Sequence, residues 1–374
     1  MVGEREQGVS RTFGLSTVCL EPYTGSHGYN TGEAAMGDAR AVHSTATVID
    51  GLLFHGDGDV GELRQAGVTA ANITVCDFEA DFTEACDGIA RWLGSVSQNA
   101  EGWRLVECVE DIDAAAAAGQ VGLIMGFQNA RPIEDRLDRI DLFHRMGVRI
   151  IQLTYNNRNF LGDGCLEPND GGLSAFGRLA VERMNALGVA IDLSHVGERT
   201  SLMAAELSTQ PVLATHTNAS ALADWPRNKS DEVIRAVAAT GGTIGVSLYG
   251  PLLWDGRPGR PPQLEDLVRQ ADYIAGLVGV EHVSFGTDFY AVVDAAAYGA
   301  AADMESELAN PAAAAYAREF GNELPGRYPA GCRRLGDLGH MTEEFIRNGW
   351  SEQDVTALLG GNLVRALGKI WSSN

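Results

Sequence analysis

The sequence predicts an α/β protein folded as a (β/α)8 TIM barrel. Short apolar or β-branched runs alternate with longer segments of helical period from Thr45 onward, the signature of repeated βα units. Glycines stand where those helices should close, and polar side chains recur at the C-terminal end of nearly every run.

The candidate strands are residues 47–53, 68–75, 121–127, 148–153, 189–193, 212–215, 243–248 and 283–285, which makes about eight, the number a barrel needs. Between them, residues 83–93, 112–118, 133–146, 173–187, 199–207, 231–239 and 264–277 read as helices. Gly119, Gly147, Gly188, Gly241 and Gly279 supply the left-handed closing residue that lets the chain turn into the next strand. No Gly-x-Gly-x-x-Gly follows the first strand, so an open doubly wound sheet is the weaker alternative.

Residues 1–44 are rich in Gly, Thr, Ser and Glu and show no sustained period, so they are expected to form an N-terminal arm. Residues 45–374 form the single barrel domain, with a lid or insertion near 291–330, where Ala, Gly and Pro accumulate, and helices at the C-terminus.

The formal charge is −22, from 28 Lys+Arg against 50 Asp+Glu, which argues against nucleic acid or an anionic membrane as the main partner. The six cysteines form no Cys-x-x-Cys pair, and no stretch approaches a membrane span. A reducing, cytoplasmic setting is expected, with a small-molecule substrate as partner.

In a parallel barrel the C-terminal strand ends converge on the mouth, so the polar residues there form a constellation. The first strand carries Asp50 and runs into His55-Gly56-Asp57. The third ends at Gln128, the fourth at Tyr155-Asn156-Asn157, the fifth at His195 and the sixth at His216. The seventh ends at Tyr249 and the eighth at Asp288. Two strand-end histidines could grip one metal ion or be structural; Asp288 could equally cap a helix, and Arg227 could pair with Asp231 or Glu232. His27 and His43 are expected in solvent; His144, His282 and His340 are expected to be structural.

Five passages together resemble the membrane (renal-type) dipeptidase family, peptidase family M19. They are Ile191-Asp192-Leu193-Ser194-His195-Val196, Thr215-His216-Thr217-Asn218-Ala219-Ser220-Ala221-Leu222, Pro226-Arg227-Asn228-Lys229-Ser230-Asp231-Glu232, Gly286-Thr287-Asp288-Phe289 and Leu359-Gly360-Gly361-Asn362-Leu363-Val364-Arg365. The likeness runs from about Thr47 to about Leu367. It implies a barrel of the amidohydrolase type, usually with two zinc ions, that hydrolyses dipeptides. It also implies that His195 and His216 hold one zinc, that Asp288 handles protons at the scissile amide, and that Arg227 takes the substrate's free carboxylate. Tyr249 and Asn218 fall near the same pocket, and related enzymes make a homodimer a reasonable expectation.

Two departures from the family pattern matter. Where the family has Asp-Gly-His-x-Asp on its first strand, this chain has Asp50-Gly51-Leu52-Leu53-Phe54, so Asp50, His55 and Asp57 are the only candidate donors left there. Gln128 stands where the family has a bridging glutamate, and a neutral amide is a weak zinc ligand that cannot bridge two cations as an anion can. Tyr155 replaces the family's substrate-polarising histidine and can still donate a hydrogen bond to a developing oxyanion. The expectation is a dipeptidase-like hydrolase with a reduced site of at most one zinc. A metal-free barrel enzyme doing acid–base chemistry on a small carboxylate-bearing amide is one alternative, and a non-catalytic small-molecule binding protein is another.

Overall fold

The computed structural model describes residues 33–55, 60–291, 310–321 and 323–372. Ten strands form one sheet: β1 (Ile49–His55), β2 (Ala70–Thr74), β3 (Trp103–Leu105), β4 (Val121–Phe127), β5 (Val148–Gln152), β6 (Ala190–Asp192), β7 (Val212–Thr217), β8 (Thr243–Ser247), β9 (Val283–Gly286) and β10 (Phe289–Ala291). Every pairing is parallel, in the order β10-β1-β2-β4-β5-β6-β7-β8-β9, with β3 alongside β4. Only Thr287 and Asp288 separate β9 from β10, so the two are one interrupted stave. β9 pairs with β8 and β10 with β1, and the Asp288 amide donates to the Leu52 carbonyl at 3.0 Å. Eight staves therefore close on themselves, as the alternation of patterns predicts.

The N-terminal end of the barrel is plugged. Ile49, Ala70, Ile124, Ile150, Ala190 and Leu213 point inward and pack against Leu363, Ala366, Leu367 and Ile370 of the last helix, Asn362–Trp371. An apolar floor of this kind leaves only the C-terminal mouth for chemistry.

The barrel is also pinched at β7. Its register with β8 shifts between Ala214 and Thr217, and the bulge carries the Thr215 carbonyl toward the axis. A Cβ on Gly51, Gly245 or Gly286 would lie 2.7, 2.0 or 2.3 Å from that oxygen. Three strands thus carry glycine where a side chain would collide, and the bulge sets the position of His216.

All eight expected strands are present, and the structure adds to the sequence reading in four places. β3 and β10 are three residues each, too short to show a period. The expected helix at 133–146 is broken: Pro132 opens a 3-10 turn, Arg131–Ile133, and Glu134 sits in the left-handed region at φ 51° before the helix Asp138–Arg145 begins. Part of the expected N-terminal arm is a helix, Glu33–Thr45, packed on the helix Leu338–Arg347. His43, expected in solvent, bridges Thr342 Oγ1 at 2.8 Å and the Ala66 carbonyl at 2.9 Å. Of the expected lid, residues 292–309 and 322 lie outside the described residues. The helix Pro311–Phe320 places Tyr316 and Phe320 edge-on to Trp254.

No described helix is long and apolar enough to cross a membrane.

Candidate active site

At the C-terminal mouth lies a cavity of about 90 Å³ whose wall includes Tyr155, His195, Arg227, Tyr249 and Asp288. Five sequence-predicted residues from five separate segments therefore share one space. His216 lies immediately beneath, fully buried, with its Nε2 3.2 Å from Nε2 of His195.

The hydrogen bonds behind the two imidazoles decide their tautomers. Thr215 has one hydroxyl proton, and it goes to Oδ2 of Asp192 at 2.7 Å. Thr215 Oγ1 must then accept from the His216 Nδ1–H at 2.9 Å. His195 Nδ1 lies 2.7 Å from Asn156 Oδ1, an acceptor, so it too carries the proton. In those tautomers both Nε2 atoms face each other with bare lone pairs, which cannot bond to one another. Burial first, and then the Arg227 charge, hold both imidazoles well below their ordinary pKa, so the rings themselves stay neutral.

Tyr155 is stacked between Phe78 and His195, with ring centroids 4.1 and 4.0 Å apart. Burial raises its phenol far above the usual range and keeps it a neutral donor. Asp288 occupies the left-handed region at φ 57°, a conformation Asp tolerates better than most residues. Its carbonyl accepts from Tyr328 OH at 2.8 Å and its amide is held by Leu52, so the backbone is gripped from both sides. Asp288 is half-buried because it faces the cavity, yet the protein around it withholds bulk water and pushes the carboxyl up to about 6, with Arg227 opposing. Arg227 donates to the Ser194 and His216 carbonyls rather than to Asp231 or Glu232, and no carboxylate forms an ion pair with it among the described residues. Beside it the buried Lys229 donates to the Val196 carbonyl, and burial together with the Arg227 charge pulls its pKa down to about 8.

Other predicted residues do not face this space. Asn218 exchanges two hydrogen bonds with the backbone of Ser247, each 3.2 Å, standing in for ladder bonds lost at the β7 bulge. Asp50 is spent on the backbone amides of Leu52 and Thr287 and on the Thr287 hydroxyl, and burial raises its carboxyl to about 7. Gln128 donates to Thr74 Oγ1 at 2.9 Å, while its Oε1 is buried without a partner. Asp57 lies outside the described residues, and His55 is described only as the last residue of β1. His282 and His340 bond backbone carbonyls, of Gly242 and Gly331 respectively.

The residues present fit half of a two-zinc centre. Two imidazole nitrogens bound to one tetrahedral zinc at about 2.0–2.1 Å stand roughly 3.3 Å apart, close to the spacing seen here, and both rings have the outer hydrogen-bond partners such ligands need. Among the described residues nothing supplies the other half. Leu52 points into the core, Phe54 stacks on Tyr290 at 4.5 Å, and among the described residues no three His, Cys, Asp or Glu side chains could hold an ion together.

Sequence reasoning missed Asp192, Thr215 and Asn156 as the groups that orient the histidines. A carboxylate inside an otherwise apolar strand is the signal that could have found Asp192.

Comparison with known proteins gives a consistent result. The model of the membrane dipeptidase family, peptidase family M19, matches residues 54–304. A dipeptidase, aclJ, of Aspergillus oryzae is 26% identical over 254 residues, covering 67% of this chain and 52% of that protein. The chain spans about half the length of the curated dipeptidases it matches. Among solved structures, an amidohydrolase from Pseudomonas aeruginosa shares 32% identity, covers 89% of this chain and 99% of its own, and superposes with a TM-score of 0.78. A metallopeptidase from Rhodobacter sphaeroides, liganded with a phosphinate mimic of L-Ala-D-Ala, shares the fold at 20% identity, 87% and 100% coverage and a TM-score of 0.70. The family is generally zinc-dependent. The chain belongs to the membrane dipeptidase family, peptidase family M19, a family of peptidase-type hydrolases.

Proposed function

We propose that this protein cleaves the amide bond of a dipeptide, or of a related small amino-acid-derived amide with a free carboxylate, at a site holding at most one metal ion. The observation that carries the reading is the pair of bare Nε2 atoms 3.2 Å apart beneath a cavity lined by Arg227, Tyr155 and Asp288. His195 and His216 would hold the ion between their Nε2 atoms. Zinc bound there would supply Lewis acidity and a readily ionised water.

The chain's own groups supply the rest. Among the described residues Arg227 has no carboxylate partner, so it keeps guanidinium protons for the substrate carboxylate. Asp288, ionised above about pH 6, takes a proton from the attacking water and returns it to the leaving amine. The Tyr155 phenol donates to the oxygen that gains charge. Phe54, Phe78 and Tyr290 wall the space with apolar surface that keeps out bulk water.

A dipeptide panel assayed alongside elemental analysis tests this. Turnover should vanish in Asp288→Ala, with no more than one zinc per chain; turnover that persists in Asp288→Ala sinks the reading. The Phe54–Tyr290 stack, standing where the family pattern has metal ligands, favours metal-free acid–base chemistry as a second reading, which chelator-insensitive turnover would select. No turnover on any substrate would leave a binding protein built around Arg227. The free state of Cys76, Cys86, Cys108, Cys165 and Cys332 supports a cytoplasmic setting, and a homodimer is proposed by family analogy alone.

A further inference from the structure

The same clip occurs twice in this barrel. On β6, Asp192 Oδ1 accepts from the amides of Ser194 and Thr215, both at 3.0 Å, while Oδ2 accepts from the Thr215 hydroxyl at 2.7 Å. On β1, Asp50 Oδ1 accepts from the amides of Leu52 and Thr287, at 3.1 and 2.8 Å, while Oδ2 accepts from the Thr287 hydroxyl at 2.5 Å. In each case a carboxylate on one stave seizes the amide and hydroxyl of a threonine on the neighbouring stave. In each case the next residue in the chain faces the chemistry: His216 after Thr215, Asp288 after Thr287.

The two clips differ in what the threonine does next. Thr287 Oγ1 accepts from the Phe289 amide at 3.2 Å and so holds only backbone. Thr215 Oγ1 is 2.9 Å from a ring nitrogen, Nδ1 of His216, and so controls a proton. Ser194 closes the arrangement, donating to Asp192 at 2.7 Å and accepting from the His216 amide at 3.1 Å, with every member buried.

We propose that Asp192 is a positioning residue that acts through Thr215: by taking the only hydroxyl proton of Thr215, it forces His216 into the Nδ1–H tautomer and leaves Nε2 open toward His195. The proposal extends the one-ion reading, and the tautomer itself can be measured in protein without metal. The logic is directional. In Asp192→Asn, Oδ1 still accepts from the Ser194 and Thr215 amides, so the NH₂ group replaces Oδ2 and donates to Thr215. The Thr215 hydroxyl must then donate to Nδ1 of His216, and the ring proton moves to Nε2. The altered ring no longer offers a lone pair where the ion would sit.

The test is nitrogen-15 NMR of histidine-labelled, chelator-treated full-length protein at one fixed pH, with the His216 signals assigned by loss in His216→Gln. Wild type, Thr215→Ser and Asp50→Asn should all show His216 protonated at Nδ1. Asp192→Asn should show it protonated at Nε2, and Thr215→Val should lose the preference. Zn²⁺ affinity should fall about 10- to 100-fold in Asp192→Asn and recover toward wild type in Thr215→Ser relative to Thr215→Val. A His216 that is Nε2–H in wild type, or that stays Nδ1–H in folded Asp192→Asn or in folded Thr215→Val, overturns the proposal. If either variant fails to fold, the other decides. Failure of wild type to bind Zn²⁺ would count against the one-ion reading while the tautomer result stands on its own.

Discussion

Replacing Arg227 by lysine tests the carboxylate-binding role directly, because it keeps the charge and removes the fork. The guanidinium has five N–H donors, and the Ser194 and His216 carbonyls occupy two of them. About three remain for the cavity, enough for a two-point grip on a carboxylate. A hydrogen bond to a charged group contributes about 1.5–3 kcal/mol, so losing one of the two should lower kcat/KM roughly 10- to 150-fold. The assay is a double cycle: wild type and Arg227→Lys, each with a dipeptide and with its C-terminal amide. The dipeptide should lose about 10- to 150-fold, chiefly through KM, and the amide less than about threefold. Equal losses on both substrates would show that Arg227 serves only to tie down the Ser194 and His216 carbonyls. No loss on either would remove it from the site. A thermal melt controls for stability, since each orphaned carbonyl costs about 1–3 kcal/mol.

Further outcomes follow from the same geometry. With the Asp288 carboxyl near 6, kcat/KM should rise with pH and level off above an inflection near that value, a limb that Asp288→Asn abolishes together with turnover. Folded stability should run the opposite way. Asp288 and Asp50 keep protons up to about 6 and 7 where the unfolded carboxyls release them near 3.8, so the urea midpoint should fall as pH rises from about 4 to 7 and flatten in the two Asn variants. Gly51→Ala should destabilise by about 1–3 kcal/mol in urea unfolding, because its Cβ would lie 2.7 Å from the backbone oxygens of both Thr215 and Phe285, which cannot swing away. Restoring the family's donors with Leu52→His, Phe54→Asp and Gln128→Glu together should raise bound zinc from one to two per chain, read by elemental analysis.

The barrel and half of its site were legible in the sequence because both write themselves in local patterns. Eight apolar runs bounded by glycine announce the staves, and a polar residue after each run announces the mouth. Tyr155, His195, Tyr249 and Asp288 could be named that way, and Arg227 by its place in the family motif; all five share one cavity. What could not be read depends on partners remote in sequence. Asp50 and Thr287 meet only because the first and last staves close the barrel, and Asn156 reaches His195 across 39 positions. Asn218 looked like a pocket residue because of its place in the motif, but the register shift at β7 turns it to the backbone. The helix at Glu33–Thr45 is hard to read because its buried face forms only on packing against helices remote in sequence, Leu338–Arg347 and Glu352–Thr356.

The central claim is that one converging imidazole pair is the whole of the metal site. Metal content of the purified full-length chain, measured together with anomalous scattering from crystals grown with zinc, tests it most directly. The account predicts at most one ion, seated between His195 and His216 and lost in His195→Ala or His216→Ala. Two ions per chain, or an ion retained when both histidines are replaced, would contradict it.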